Sequence, residues 1–264
     1  MECLALGARH KFERDGFLWS PSDEGDVGRS REGAAALVLD SYELGGAALP
    51  AGTPVVAMHD YGPSIASAAL VVSPAGLGER DGYLCGFRYV SLRPLFWGLP
   101  GRLQNDEVET VLVTAGAGSA AKGGVALATA ARTALPDARV RLVVPSGVKG
   151  PDTVETIEGP ASLLDALLEA DLVVTAGGQT MLEALAAGVP CVAVCLVENQ
   201  RRQTERLASE GAIHVAEREG VGAEVAALAG DAERRRDLVR KGRELVDGFG
   251  ALRIAFHVDR LGAG

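Results

Sequence analysis

The chain carries 264 residues, 47% of them hydrophobic, with 34 glycines, only 5% aromatics and a formal net charge of −9. A length of this order buries a large core and divides naturally into two α/β domains of roughly 100–160 residues each, which excludes a chain disordered throughout. The acidic balance argues against nonspecific nucleic-acid binding, and no run approaches about 18 uninterrupted apolar residues, so no integral membrane segment is expected.

The first 33 residues combine a short apolar opening with a polar, glycine-containing loop, SPSDEGDVGRSREG. No cationic-then-apolar leader is visible there, and the expected compartment is the cytoplasm. The run 34–39 (AAALVL) reads as a buried strand ending in Asp40-Ser41-Tyr42, and 55–58 as the next, ending in His59-Asp60. In open α/β sheets ligands gather at the carboxyl ends of strands, so both endings are candidate site edges. His59 is then either an acid/base, since an ordinary imidazole titrates near neutrality, or a surface or structural histidine. The run 68–72 continues the sheet and 82–97 follows as a crossover. Within 99–107, Pro100, Gly101 and Asn105 mark a linker.

The second domain opens on a strand at 108–114 (VETVLVT), followed by the glycine-containing loop 115–119 and a helix to about 135. Gly116 and Gly118 give that loop the freedom to bring backbone N–H groups to a diphosphate. Further strands are expected at 139–145 and 154–157, and a helix at 162–169. The stretch 171–200, DLVVTAGGQTMLEALAAGVPCVAVCLVENQ, reads as one βαβ unit: strand 171–176, a Gly177-Gly178 turn, helix 180–187, strand 189–197. A glycine pair there lets a ligand approach the backbone without a Cβ in the way, and the N–H groups and dipole of the helix start attract an anion. Glu183 lies one turn in from Gln179, placed to accept hydrogen bonds from vicinal sugar hydroxyls. Gly177, Gly178, Gln179, Thr180 and Glu183 together suggest a nucleoside diphosphate. Asn199 and Gln200 are amides, which offer a ligand donors and acceptors without a charge penalty, with a helix cap by Asn199 as the other reading. The charged run 231–246 reads as a surface helix, because acids interrupt its basic residues and apolar ones recur at helical spacing. A last helix is expected at 251–261. The four cysteines, at 3, 85, 191 and 195, lack metal spacing and read as reduced core residues. No acidic cluster suited to a metal is evident.

Four segments, VLDSYEL at 38–44, LCGFRYVSLRPLF at 84–96, AGGQTMLEALAAGVPCVAV at 176–194 with ENQ after it, and VDGFGALR at 246–253, occur in an order that resembles one family. It is that of the hydrolases of pseudaminic acid biosynthesis, which release UDP from UDP-2,4-diacetamido-2,4,6-trideoxy-L-altropyranose, together with their spore-coat polysaccharide relatives in the GT-B superfamily. The resemblance implies an α/β, GT-B-like fold of two Rossmann-like domains with a cleft between them. The expected division is 1–100 for a shortened sugar or acceptor domain and 105–264 for the nucleotide-binding domain. It implies that Tyr89 faces the cleft, with packing of the domain junction as its alternative, and that Asn199 and Gln200 contact sugar or phosphate. It further implies that backbone around Ile157 holds the base and that the last helix packs back across the junction.

The family opens on a glycine-rich loop ending in a catalytic histidine, and the alignment puts that position before Met1. The family's Asp-Asp is His59-Asp60 here, so His59 and Asp60 are the catalytic candidates. The expected reaction is attack of water at the anomeric carbon of a UDP-sugar, with UDP leaving. That chemistry needs no cofactor and, by the resemblance, no metal; the expected partner is the small nucleotide sugar, in a monomer or weak homodimer. Alternatives are a glycosyltransferase using the same donor, as in the peptidoglycan N-acetylglucosaminyl transferases of this architecture, and a catalytically silent nucleotide-sugar-binding relative.

Overall fold

The computed structural model describes residues 36–40, 52, 54–59, 68–76, 80–116 and 123–262. Two compact units emerge, residues 1–97 with 248–264, and residues 98–247. The expected division at 105–264 therefore differs at its end: the last 17 residues group with the first unit.

In the first unit, β1 (Leu37–Asp40), β2 (Val55–Met58), β3 (Leu70–Ser73) and β4 (Tyr83–Cys85) form an all-parallel sheet in that order. Val55, Val56 and Ala57 are all buried, so this sheet is covered on both faces, the pattern of parallel sheets whose strands read as continuous apolar runs. β4 lies inside what the sequence reads as a crossover. Its three residues carry too short an apolar signal to separate from a loop.

In the second unit, β5 (Thr110–Thr114), α1 (Gly124–Ala134), β6 (Arg139–Val144), β7 (Glu155–Glu158), α2 (Leu164–Glu169), β8 (Leu172–Ala176), α3 (Gln179–Ala187), β9 (Cys191–Val194), α4 (Arg201–Ser209), β10 (His214–Val215), α5 (Val221–Ala229) and α6 (Ala232–Leu245) follow one another. The sheet order is β10-β9-β8-β5-β6-β7, parallel throughout. This is the doubly wound order, in which the chain starts at the middle and reverses direction between β5 and β8. The central strands are the most apolar: Val111 to Val113, Leu172 to Val174 and Cys191 to Ala193 are 0% exposed, as burial on both faces requires. Burial also pushes the Cys191 thiol far above its ordinary range, in keeping with an inert core cysteine. At the β7 edge, Arg139 and Arg141 pair with Glu155. Burial raises that carboxyl, but the two guanidiniums more than offset it and hold it below the usual range.

The linker expected at 99–107 is an extended strap fastened to the second unit. Asp171, 6% exposed, accepts from Asn105 Nδ2 at 2.7 Å and from the backbone N–H groups of Glu109 and Thr110 at 3.0 and 2.9 Å. Arg102 donates to the carbonyls of Leu167 and Ala170, Gln104 to that of Gly188, and Arg243 to those of Leu99 and Pro100. Asp171→Ala removes one acceptor from three donors and is expected to lower stability by about 2–4 kcal/mol, because two of those donors are backbone groups beside a buried strand. Urea unfolding followed by circular dichroism measures it; a loss under about 0.5 kcal/mol, the level of a surface substitution, would contradict this role.

The closing helix, α7 (Gly250–Gly262), packs Ala251, Ile254 and Val258 against Val56, Leu70, Val72 and Leu84 of the first sheet. Its entry needs glycine. A Cβ at Gly248 would lie 2.3 Å from the Phe96 carbonyl oxygen, and one at Gly250 2.0 Å from that of Val90. The segment 84–96 and residues 248–253 of another, both carriers of the family resemblance, thus meet within one unit.

Candidate functional site

The site assembles at the carboxyl edge of the second sheet, where β5 and β8 part company and ligands of open α/β sheets bind. Thr114 on β5 is in register with Thr175 on β8. Gly116 and Gly177 each lie two residues beyond this pair, in the turns that follow the two adjacent strands. Gly116 has φ +79°, which an L side chain rarely adopts, and its N–H donates to Thr114 Oγ1 at 3.3 Å. Gly118 lies outside the described residues.

At the second turn Gly177 is buried and Gly178 half-buried, and Gly178 caps α3 with no side-chain hydrogen bond. Glycine has no side chain with which to cap this helix start, and the helix dipole there favours an anion. Gln179 is exposed there and Thr180 half-buried. Helix α4 closes over the turn from the β9 side. Gln203 Nε2 donates to the Gly177 carbonyl at 3.0 Å, and Thr204 Oγ1 donates to the Gln200 carbonyl at 2.8 Å. A Cβ at Gly177 would stand 2.2 Å from Thr204 Oγ1, and one at Gly178 3.2 Å from Gln200 Nε2. Thr175 Oγ1 and Gln200 Oε1 are buried with no hydrogen-bond partner among the described residues. Buried polar atoms without partners are rare, and two of them flanking one turn mark it as unusual.

The other expected residues divide. Glu183 is on α3 as expected but only 4% exposed, turned into the unit rather than out to solvent. Asn199 is exposed in a 3₁₀ turn, Glu198–Gln200, while Gln200 lies against Gly178, so the amide pair is split. Ile157 shares a row with Val143 and Thr114, two strands or about 10 Å from β5. The Gly159 N–H donates to the Val144 carbonyl at 2.9 Å, which fixes the phase of this edge ladder. Ile157 thereby directs its own N–H and C=O into the sheet, and the backbone groups facing away from it belong to Glu158.

In the first unit, His59 follows β2, is half-buried and donates its backbone N–H to the Val72 carbonyl at 2.7 Å. Asp60 lies outside the described residues. Tyr89 sits in a 3₁₀ turn, Phe87–Tyr89, with its ring edge-on to His257 at 6.2 Å. Among the described residues no cluster of three or more His, Cys, Asp or Glu is suited to a metal, and no helix is long and apolar enough to cross a membrane.

The sequence reading missed Gln203 and Thr204, whose contacts with Gly177 cross 26 or more positions of chain. The signal that was there is their spacing: Gln200, Gln203 and Thr204 occupy one face of a helix that must start right after β9.

No protein-family profile and no curated protein matches the sequence. Solved structures do. The spinosyn rhamnosyltransferase SpnG is 17% identical with a TM-score of 0.62, over 97% of this chain and 79% of that one. The glycosyltransferase SsfS6 of Streptomyces sp. SF2575, complexed with thymidine diphosphate, is 18% identical with a TM-score of 0.62, over 92% and 72%. S. aureus MnaA with UDP is 13% identical with a TM-score of 0.62, over 92% and 80%. Likeness at this level of identity speaks to architecture alone, and in architecture this chain is an α/β protein of the GT-B kind.

Proposed function

We propose that this chain is an enzyme that binds a nucleoside-diphosphate sugar and releases the nucleoside diphosphate by attack of water at the anomeric carbon. The observation that carries the reading is that glycine turns follow the two adjacent strands β5 and β8, one of them opening a helix at a glycine cap. In this reading the diphosphate lies on Gly116, Gly177, Gly178, Gln179 and Thr180, whose N–H groups and helix dipole stabilise charge developing on the leaving group. The base reaches along the carboxyl edge toward Ile157 and Glu158, the strand spacing there being on the scale of one nucleotide. Gln200 acts beside the turn. Glu183, buried below it, meets the ribose only if the helix start opens by a turn on binding. Two structures of like fold hold thymidine diphosphate and UDP, which supports the ligand class.

His59 is the proposed base. General-base assistance is worth about 10²–10⁴-fold, so His59→Ala should lower UDP release from UDP-sugars by that factor and leave UDP affinity within about threefold. The panel includes the diacetamido-trideoxy-altrose derivative. Release unchanged in the variant would remove His59 from the reaction. A second reading, glycosyl transfer, is favoured by the rhamnosyltransferase and glycosyltransferase of like fold. Release that stays at background until an acceptor alcohol is added would select it.

A further inference from the structure

Helix α7 is apolar on two sides. Ala251, Ile254, Ala255 and Val258 are buried, as its packing on the first sheet requires. Leu252 and Phe256, with Phe249 just before the helix, are nevertheless 43, 58 and 38% exposed, and at i, i+3, i+7 they form one continuous outward stripe. Large apolar side chains held together in water at helical spacing mark a binding surface more often than scattered ones do. Beside the stripe is a cavity of about 370 Å³, within the size range of small-molecule sites.

The cavity's polar lining is cationic. Arg88 and Arg253 are in its wall with Tyr89 and His257, and no acid is among the described residues that line it. The geometry holds these groups in place. Arg253 Nη1 donates to the Arg88 carbonyl at 2.9 Å, and the Arg88 guanidinium carbon stands 5.6 Å from the centre of the Tyr89 ring. Farther along the helix Arg260 covers the Phe256 ring at 5.8 Å. In a chain with a net charge of −9, a basic pocket with aromatic walls is a local departure and not the general surface.

We infer that this cavity is a binding site for a small organic anion, an aromatic or aliphatic body bearing a carboxylate or phosphate. The body would cover Phe249, Leu252 and Phe256, and the head group would pair with Arg88, which offers a forked donor to such oxygens. Every wall belongs to the first unit. The site is therefore independent of the nucleotide reading and gives Tyr89 a role other than facing the sugar.

The test is calorimetric titration of the whole chain with 2-naphthyl phosphate, with 2-naphthol and 2-naphthylmethylamine as neutral and cationic counterparts. The expected result is binding of the phosphate at least tenfold tighter than either counterpart, weakened at least tenfold by Arg88→Gln and by Phe256→Ser. Both substituted side chains are exposed, and circular dichroism checks that the variants fold. UDP at saturation should leave this binding unchanged. Equal binding of naphthol, displacement by UDP, or affinity indifferent to both variants would overturn the site. So would a homodimer in sedimentation that Phe256→Ser dissociates, or cosedimentation with phosphatidylglycerol vesicles in the absence of naphthyl phosphate binding, since either assigns the stripe to a different occupant.

Discussion

Gly177→Ala is expected to abolish nucleoside-diphosphate binding, by at least 100-fold, and to lower stability by about 1–3 kcal/mol, the range of overpacking in a buried site. The added methyl would stand 2.2 Å from Thr204 Oγ1 and 3.2 Å from Gln200 Cβ. Thr204 is 1% exposed and tied to the Gln200 carbonyl, so it has no room to swing away. Relief must come from α4 lifting off the turn, which also strains the Gln203 bond to the Gly177 carbonyl. A double variant separates packing from binding. Thr204→Ala removes the clashing oxygen, so Gly177→Ala/Thr204→Ala should regain most of the lost stability, a coupling of about 1 kcal/mol or more between two residues in contact. Nucleotide affinity that stays impaired in the double variant would show that the phosphate needs the bare Gly177 backbone as well. Full recovery of both would mean that Gly177 serves packing alone.

The second large effect is expected at Arg235. It lies on α6, in a run of charged residues, yet it is 1% exposed. Its guanidinium donates to the carbonyls of Leu228 and Ala229 in the last turn of α5, and to those of Asn105 and Asp106 on the strap. One cation thus caps a helix carboxyl end, where carbonyls lack intrahelical partners and the dipole is negative, and fastens a segment 129 positions away. Burial holds the guanidinium below its ordinary pKa, but an arginine remains charged at any pH of interest. Arg235→Met keeps the volume and leaves four carbonyls without their donor, for an expected loss of about 3–5 kcal/mol. Arg235→Lys keeps the charge without the fork and should fall between the two. Urea unfolding of the three proteins measures this. Arg235→Met as stable as the parent would mean that the strap is held without it.

Sequence pattern alone revealed the second sheet well, because its central strands are continuous apolar runs between glycine turns. It revealed the Gly177-Gly178 turn for the same reason: strand, glycine pair and apolar helix follow one another within about 17 residues of chain, a local signal. What escaped was held by long-range contacts. Arg235 was hidden by its neighbours Arg234 and Arg236, although its spacing to Leu238, Val239 and Gly242 puts it on the buried stripe of α6. Asn105 reads as a loop residue until Asp171 is seen beside it. β10 has only two residues and pairs because β9 offers an edge, not because its sequence demands it. At the site, Gly116 and Gly177 are 61 positions apart, and only the sheet order brings their turns together. The backbone role that the resemblance implies at Ile157 leaves no trace in side chains, since the phase of a β ladder decides which backbone groups face outward and sequence does not record it.

The most direct test of the central claim is a crystal structure of the chain soaked with UDP. The account predicts a diphosphate on the carboxyl edge of the second sheet, with phosphate oxygens within about 2.7–3.2 Å of backbone N–H groups in the run Gly177 to Thr180. UDP bound elsewhere, or no UDP at millimolar concentration with this edge open to solvent, would contradict it.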